Sequence, residues 1–309
     1  MKVSKVCKVQ AIGLDIGRGY VKGYSEFEGK KYSCKFKSIR ALGRKMDFSE
    51  YESPIYIEVD NQDFFIGDLA EKEGHNPTQN LQDSKVTKIA QTLIWAALNE
   101  IAASEQVKIM LGIPTKLFKR SVLTEIVETY KGKTVKIKNK MTNSFKEVTI
   151  LDISIYREAD AALLYHVNEH PTLKNGPVAL ASVGFRTTEL CYYDKGLKFN
   201  DKLSNTIEEG NKTALEYIQK RLKDREIMKT LGEIDSSNDY DDLKELAYES
   251  LSGAMQNQIE SNWINLKELA VFVAGGTALK LNLPYELLED PQMATSKGLW
   301  LLATQTFCK

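Results

Sequence analysis

The sequence predicts a mixed α/β chain of two domains built on one repeated plan. Three observations carry this expectation. At 309 residues the chain is too long for one ordinary core and suits two domains of roughly 150 residues each. Strand-like alternation and helical periodicity succeed one another along it, the pattern of mixed α/β proteins. A meander opened by a glycine-containing hairpin occurs twice, in the same register. Composition sets the outer limits: 42% apolar and 27% charged residues describe a globular protein, and no apolar run approaches the roughly 20 residues that cross a bilayer. Lysine plus arginine equal aspartate plus glutamate at 42 each, which removes any global attraction to nucleic acid. Met1 to Lys8 alternates lysines with short apolar residues and lacks the apolar core of a secretory signal, so a cytoplasmic location is expected. Cys7, Cys34, Cys191 and Cys308 form no C-x-x-C pair, which predicts reduced thiols and no zinc or redox site. His166 and His170 stand at helical spacing without a third ligand, and a surface or helix-end role is expected.

Apolar residues run nearly continuously from Val9 to Ile16, Gly17-Arg18-Gly19 interrupts, and Tyr20 to Phe27 resumes a strand pattern, which reads as a hairpin. A turn at Glu28-Gly29-Lys30 leads into a third strand over Tyr32 to Ile39. Ile55 to Ile66 reads as a small hairpin, Lys85 to Ser104 as an amphipathic helix, and Val107 to Ile113 as a buried strand stopped by Pro114. A helix over Phe118 to Thr129, strands over Thr134 to Lys138 and Val148 to Tyr156, and a helix over Arg157 to His166 follow. The opening design then recurs: strand Pro177 to Val183, turn Gly184-Phe185-Arg186, strand Thr188 to Tyr193, turn Lys195-Gly196, and a strand from Leu197. Asp15 precedes Gly29, and Ser182 precedes Gly196, by the same 14 positions. Helical periodicity runs from about Ile207 to Leu222, the Asp- and Ser-rich stretch Glu233 to Asp242 reads as a solvated loop, and a helix covers Leu243 to Asn262. Strand Ala270 to Ala274, the pair Gly275-Gly276 and a helix near Ser296 to Thr306 complete the chain.

Phosphate oxygens need donors at short range, and backbone amides reach them where the chain curves tightly and lacks bulky Cβ atoms. Gly17 and Gly19 meet that need, Asp15 at the end of a buried strand is placed to organise Mg²⁺ through waters, and Lys22 across the hairpin offers a point charge. The second turn supplies Gly184 with the hydroxyls of Thr187 and Thr188, although adjacent threonines also simply favour strands. Gly275 and Gly276 follow a buried strand, where a base or ribose can lie against the backbone; the same pair also suits close helix packing. Two such hairpins at equivalent places of a duplicated fold predict a polyphosphate enclosed from both sides.

These motifs, two D-x-G-like hairpins and a late A-G-G-T, resemble the superfamily of actin, DnaK-type chaperones and sugar kinases, and the I-G-L-D-I-G start and G-F-R-T-T turn look like bacterial and archaeal actin-like proteins, particularly the plasmid-segregating ParM group. The resemblance implies an actin-like ATPase fold of two ribonuclease H-like domains around a nucleotide cleft, residues 1–165 and 166–309, with a C-terminal helix from about 292 packing back on the first. It implies a first phosphate loop over Asp15, Gly17, Arg18, Gly19, Tyr20 and Lys22, and a second over Ser182, Gly184, Phe185, Arg186, Thr187 and Thr188. The nucleoside loop falls on Gly275, Gly276 and Thr277, and the helix start at Glu209 and Lys212 approaches ribose and base. Glu158 lies in the stretch resembling the first interdomain connector and is the candidate for positioning the attacking water, with Asp15 its catalytic companion.

The family commonly has an acid where this chain has Ser182; a serine can bind a metal-held water but adds no charge, which predicts slow hydrolysis. Arg186 replaces the usual small residue and either donates to the γ-phosphate or points outward. The implied function is an ATP- or GTP-hydrolysing, Mg²⁺-dependent filament protein, self-associating and linked to plasmid DNA by a separate adaptor, with no membrane partner. A small-molecule or sugar kinase of the same superfamily and a non-hydrolysing nucleotide-binding scaffold are the alternatives. The basic stretches Lys30 to Lys37 and Arg40 to Lys45 read as solvated faces, and no direct contact with nucleic acid is expected.

Overall fold

The computed structural model describes residues 9–48 and 50–308; the reading of Met1 to Lys8 as no secretory signal, and Cys7, lie outside them. The chain divides into two units, Met1–Ala162 with Thr295–Lys309, and Leu163–Ala294.

The first unit contains β1 (Gln10–Ile16), β2 (Tyr20–Phe27), β3 (Lys30–Lys37), β4 (Ile39–Leu42), β5 (Ile55–Val59), β6 (Gln62–Ile66), helix α1 (Asp68–Glu73), β7 (His75–Gln79), α2 (Lys88–Ile101), β8 (Gln106–Ile113), α3 (Arg120–Tyr130), β9 (Thr134–Asn139) and β10 (Ser144–Arg157). Its strands form one sheet in the order β3-β2-β1-β8-β10-β9-β5-β6-β4-β7. β1 is buried along its whole length, which explains its continuous apolar run. It pairs antiparallel with β2 and parallel with β8, which in turn runs parallel to β10. Helix α2 is amphipathic as expected, and it is buried at most positions from Ala90 to Ile101. It packs against β1 to β5 and β9, and its polar Thr92 is used inside the unit, accepting from Arg40. Thr87 caps it, accepting from the Ala90 amide at 3.1 Å.

Helix α4 (Glu158–Glu169) begins in the first unit and runs into the second. The second unit continues with β11 (Val178–Val183), β12 (Thr188–Asp194), β13 (Lys198–Phe199), β14 (Asn205–Ile207), α5 (Asn211–Lys223), α6 (Leu231–Ser236), α7 (Asp241–Asn262), β15 (Ala270–Ala274) and β16 (Glu286–Leu287). Its sheet runs β13-β12-β11-β15-β16, with β14 also on β12. An antiparallel meander followed by two parallel strands is thus the plan of both sheets.

Three expectations needed correction here. The strand expected from Leu197 is split, because a short helical turn at Asp201–Leu203 intervenes and β14 resumes the pairing with β12. That pairing also delays α5 to Asn211. The stretch expected as a loop from Glu233 begins inside α6, which a capping box of Thr230 and Glu233 nucleates.

Helix α8 (Ala294–Phe307) closes the chain. Its backbone lies on β1 so closely that a Cβ at Gly13 would sit 2.3 Å from both the Ser296 carbonyl oxygen and the Trp300 nitrogen. Gly298 lies on α4 in the same way, and Trp300 meets Tyr24 edge-on at 5.4 Å. Cys34 and Cys191 are free thiols, with burial pushing Cys34 up to about 12. Cys308 is disulfide-bonded, contrary to the expectation of reduced thiols throughout. Among the described residues no helix is long and apolar enough to cross a membrane.

The basic stretches are partly spent inside the first unit. Lys37 binds Glu71 and Asp68, Arg40 donates to Thr92, and Arg44 pairs with Glu73.

The α8 contacts make a sharp test. Alanine in a helix interior normally gains about 1 kcal/mol over glycine. At Gly298, however, the added Cβ would stand 1.9 Å from the Ala161 carbonyl oxygen, and overpacking of this kind costs about 1–3 kcal/mol or more. Gly298→Ala should therefore lower the urea midpoint; an unchanged or raised midpoint would show that α8 does not seat on α4 as described.

Candidate functional site

The two hairpins are built to the same geometry. Asp15 pairs with Lys22 and Ile16 with Val21 across the first; Ser182 pairs with Glu189 and Val183 with Thr188 across the second. In the first, Lys22 Nζ lies 2.6 Å from Asp15 Oδ2. Asp15 Oδ1 is buried and has no hydrogen-bond partner.

All three carbonyls of the first turn are tied down. The Ser38 hydroxyl donates to the Gly17 carbonyl at 2.5 Å, Gln79 Nε2 to that of Arg18 at 3.0 Å, and the Ser38 amide to that of Gly19 at 2.9 Å. In a planar trans peptide the N–H points opposite to the C=O, and no cis bond is present. The amides of Arg18 and Gly19 are therefore directed away from Ser38 and Gln79. Gly17 is required sterically, since a Cβ there would stand 2.8 Å from the Tyr20 carbonyl oxygen. Tyr20 opens β2 opposite Lys37. The Arg18 guanidinium forms an ion pair with Asp83.

Glu158 is the first residue of α4, at the carboxyl end of β10. Its Oε1 lies 3.4 Å from Lys85 Nζ, and the same ammonium donates to the Ile16 carbonyl at 2.7 Å. Asp15 and Glu158 thus stand at the carboxyl ends of parallel-sheet strands, where open α/β sheets bind ligands.

The second unit reaches the same peptide orientation with different anchors. The Gly184 carbonyl accepts from the Asn211 amide at 3.2 Å and from the Thr277 hydroxyl at 2.8 Å, and the Phe185 carbonyl accepts from the Lys212 amide at 2.7 Å. The amides of Phe185 and Arg186 consequently point the other way. Gly184 closes the turn by donating to the Thr187 carbonyl at 2.9 Å. Glycine at 210 is obligatory, because a Cβ would come within 2.5 Å of the Gly184 carbonyl oxygen, and Gly275 has φ +95° with the Val183 carbonyl oxygen 2.2 Å from where its Cβ would be. Gly276 packs on Gln292. Hairpin, helix start and the Gly275–Thr277 turn therefore form one backbone-packed cluster beyond the ends of β11 and β15.

Some candidate side chains turn out to brace this cluster. Thr188 is buried and donates to the Glu209 carbonyl at 2.9 Å, a different use from the phosphate donor expected of it. Arg186 takes the outward alternative, with Nε 3.3 Å from Glu208 Oε2 and both side chains about half exposed. Lys212 pairs with Glu216 along the helix surface at 3.2 Å. Glu209 Oε2 is buried without a hydrogen-bond partner, and Ser182 is half-buried at the end of β11.

Ser38, Gln79, Asp83 and Lys85 were not legible as site residues, since each acts by a contact remote in sequence and belongs to no motif. Gly210 was readable only as part of a helix start. Among the described residues, no group of three or more His, Cys, Asp or Glu side chains can hold a metal. A cavity of about 510 Å³ between β3 and residues 50–55 shares no residue with the site.

Residues 13–159 match the family model of actin-like protein N-terminal domains. No curated protein sequence matches the chain. Among solved structures, Ta0583, an archaeal actin homologue, superposes with a TM-score of 0.80 at 18% identity over 96% of this chain and 99% of that one. A subunit of a 15-stranded ParM filament from Clostridium botulinum gives 0.80 at 19% identity over 96% and 99%, and Bacillus thuringiensis ParM with AMPPNP gives 0.67 at 14% over 96% and 99%. The chain thus has the actin-like fold along nearly its whole length, and its first half matches the actin-like N-terminal domain.

Proposed function

We propose that this chain is a nucleotide-dependent filament protein that hydrolyses ATP or GTP to control its own assembly and disassembly, and that it works in plasmid DNA segregation through a DNA-binding adaptor. The observation that carries the reading is the pair of glycine hairpins, one per unit, each with its carbonyls anchored and its amides turned away from the anchors. Similar proteins lend support: Ta0583 is known with ADP and Bacillus thuringiensis ParM with AMPPNP, and the Clostridium botulinum ParM forms a filament.

The amides of Arg18, Gly19, Phe185 and Arg186 serve as phosphate donors in this reading, with Lys22 adding charge and Gly275, Gly276 and Thr277 lining the nucleoside. Glu209 offers its buried carboxylate oxygen to a ribose hydroxyl. The residues present fit a hydrated Mg²⁺: the unpartnered Asp15 Oδ1 is a ready acceptor for metal-bound water. When bound, the ion neutralises charge building on the phosphate oxygens. Glu158 orients the attacking water and takes its proton as the bond to the γ-phosphorus forms and the bond to the β–γ bridging oxygen breaks, releasing the diphosphate. Ser182 in place of an acid slows this step.

Two outcomes test the reading. General-base help contributes about 100- to 10,000-fold, so Glu158→Ala should bind ATP normally while phosphate release falls by that order; release at the wild-type rate removes Glu158 from the mechanism. Adding each triphosphate to wild-type protein should raise light scattering, which decays as nucleotide is consumed, with filaments visible by electron microscopy. Nucleotide binding without scattering or phosphate release would instead make the chain a scaffold.

The anchoring itself is testable through Ser38. Removing its hydroxyl leaves the Gly17 carbonyl short of a donor, and an unsatisfied group of this kind costs about 1–3 kcal/mol. Ser38→Ala should lose stability in that range by urea melts and weaken ATP binding by calorimetry; ATP affinity equal to wild type would mean that the turn's peptide planes do not matter to the ligand.

A further inference from the structure

We propose that Lys85 is a positioning residue that fixes the Glu158 carboxylate relative to the first glycine hairpin. The inference rests on the reading of Glu158 given above and adds the group that sets its geometry. Lys85 is 6% exposed, and a buried ammonium is retained only where acceptors compensate its lost hydration. Two do so: the Ile16 carbonyl at 2.7 Å and Glu158 Oε1 at 3.4 Å. Ile16 follows Asp15 directly, and Glu158 opens α4, so one cation joins the end of the strand that carries Asp15 to the start of the helix that carries Glu158.

The surroundings limit movement at both ends of this link. Gly112 leaves no room beside the Glu158 stem, since a Cβ there would come 3.0 Å from Glu158 Cγ. With the stem packed on one side, the ammonium draws the carboxylate head toward the hairpin. Lys85 is itself held by its backbone, whose carbonyl accepts from the buried Tyr130 hydroxyl at 2.5 Å, and Tyr130 packs edge-on against Trp95 in the core. The neighbouring residues continue the attachment. Gln79 binds the Arg18 carbonyl, Asp83 pairs with the Arg18 guanidinium, and Thr87 caps α2. Residues 79–87 thus form a strap across the base of the hairpin, and Lys85 is its contact to Glu158.

A displacement of about 1 Å in a reacting group can cost on the order of 100-fold in rate. Lys85→Met keeps the length of the stem and removes the cation. At saturating ATP this variant should turn over about 10- to 100-fold more slowly, while its ATP dissociation constant, measured with a fluorescent analogue, stays within about threefold of wild type. The rate losses should not add: once Glu158→Gln is present, replacing Lys85 should slow phosphate release no further, and Lys85→Arg should recover part of the loss. If Lys85→Met fails to melt cooperatively, Lys85→Gln carries the same comparison.

Undiminished turnover in the Lys85 variant, a full additional loss in the Glu158→Gln background, or a defect confined to ATP affinity would each overturn the assignment. Wild-type turnover in Glu158→Gln alone would sink the reading of Glu158 and this inference with it. An inactive Glu158→Gln beside an active Lys85→Met would sink only the role of Lys85.

Discussion

A peptide plane has two ends, and holding one end determines where the other points. Both hairpins of this protein rest on that constraint. Their turn carbonyls are bound inside their own unit, and the amides that follow are committed to the opposite side. The anchors differ: Ser38 and Gln79 hold the first turn, whereas the amides of Asn211 and Lys212 and the Thr277 hydroxyl hold the second. The start of α5 would by itself be a candidate anion site, but two of its amides are already spent on the hairpin carbonyls. What it contributes is the orientation of the Phe185 and Arg186 peptides.

Holding those anchors in place requires backbone-to-backbone approach, which explains where glycine is indispensable. In the first unit α8 lies on Gly13, and Gly298 lies on Ala161. In the second unit Gly210 and Gly275 bring the helix start and the turn after β15 against the residues on either side of the hairpin. A side chain at any of these positions would meet main-chain atoms that cannot rotate away, so the cost falls on the framework that orients the amides.

Much of this was legible in the sequence, and the parts that were not have a common cause. The strands β1, β2, β11 and β15 announce themselves by burial and by the turns that end them, and the 14-residue register of the repeat survives as the matched pairing of Asp15 with Lys22 and Ser182 with Glu189. The capping box at Thr230 and Glu233 was present to be read, yet the Asp- and Ser-rich composition around it suggested a loop. Helix α2 is amphipathic as its periodicity announces, but the extent of its burial against the sheet is a tertiary fact with no local signature. Ser38, Gln79 and Lys85 were invisible for the same reason: a lysine that donates to a carbonyl 69 positions away looks, along the chain, like any other lysine. Pattern reports periodic burial and turn chemistry, whereas single long-range hydrogen bonds leave no trace in it.

The register also changes what Ser182 means. Residues directly opposite on antiparallel strands project from the same face of the sheet, so Asp15 and Lys22 share a face, as do Ser182 and Glu189. Where the first hairpin has an acid opposite a lysine, the second has a serine opposite an acid. The Glu189 carboxylate is buried and accepts from the Thr206 hydroxyl at 2.9 Å. The second hairpin therefore carries a carboxyl group on the same face as Ser182, displaced by one strand. Thr206 belongs to β14, the short strand that interrupts the expected meander, and stands directly opposite Glu189 in the ladder, so the split third strand supplies the hydroxyl that this carboxyl accepts from.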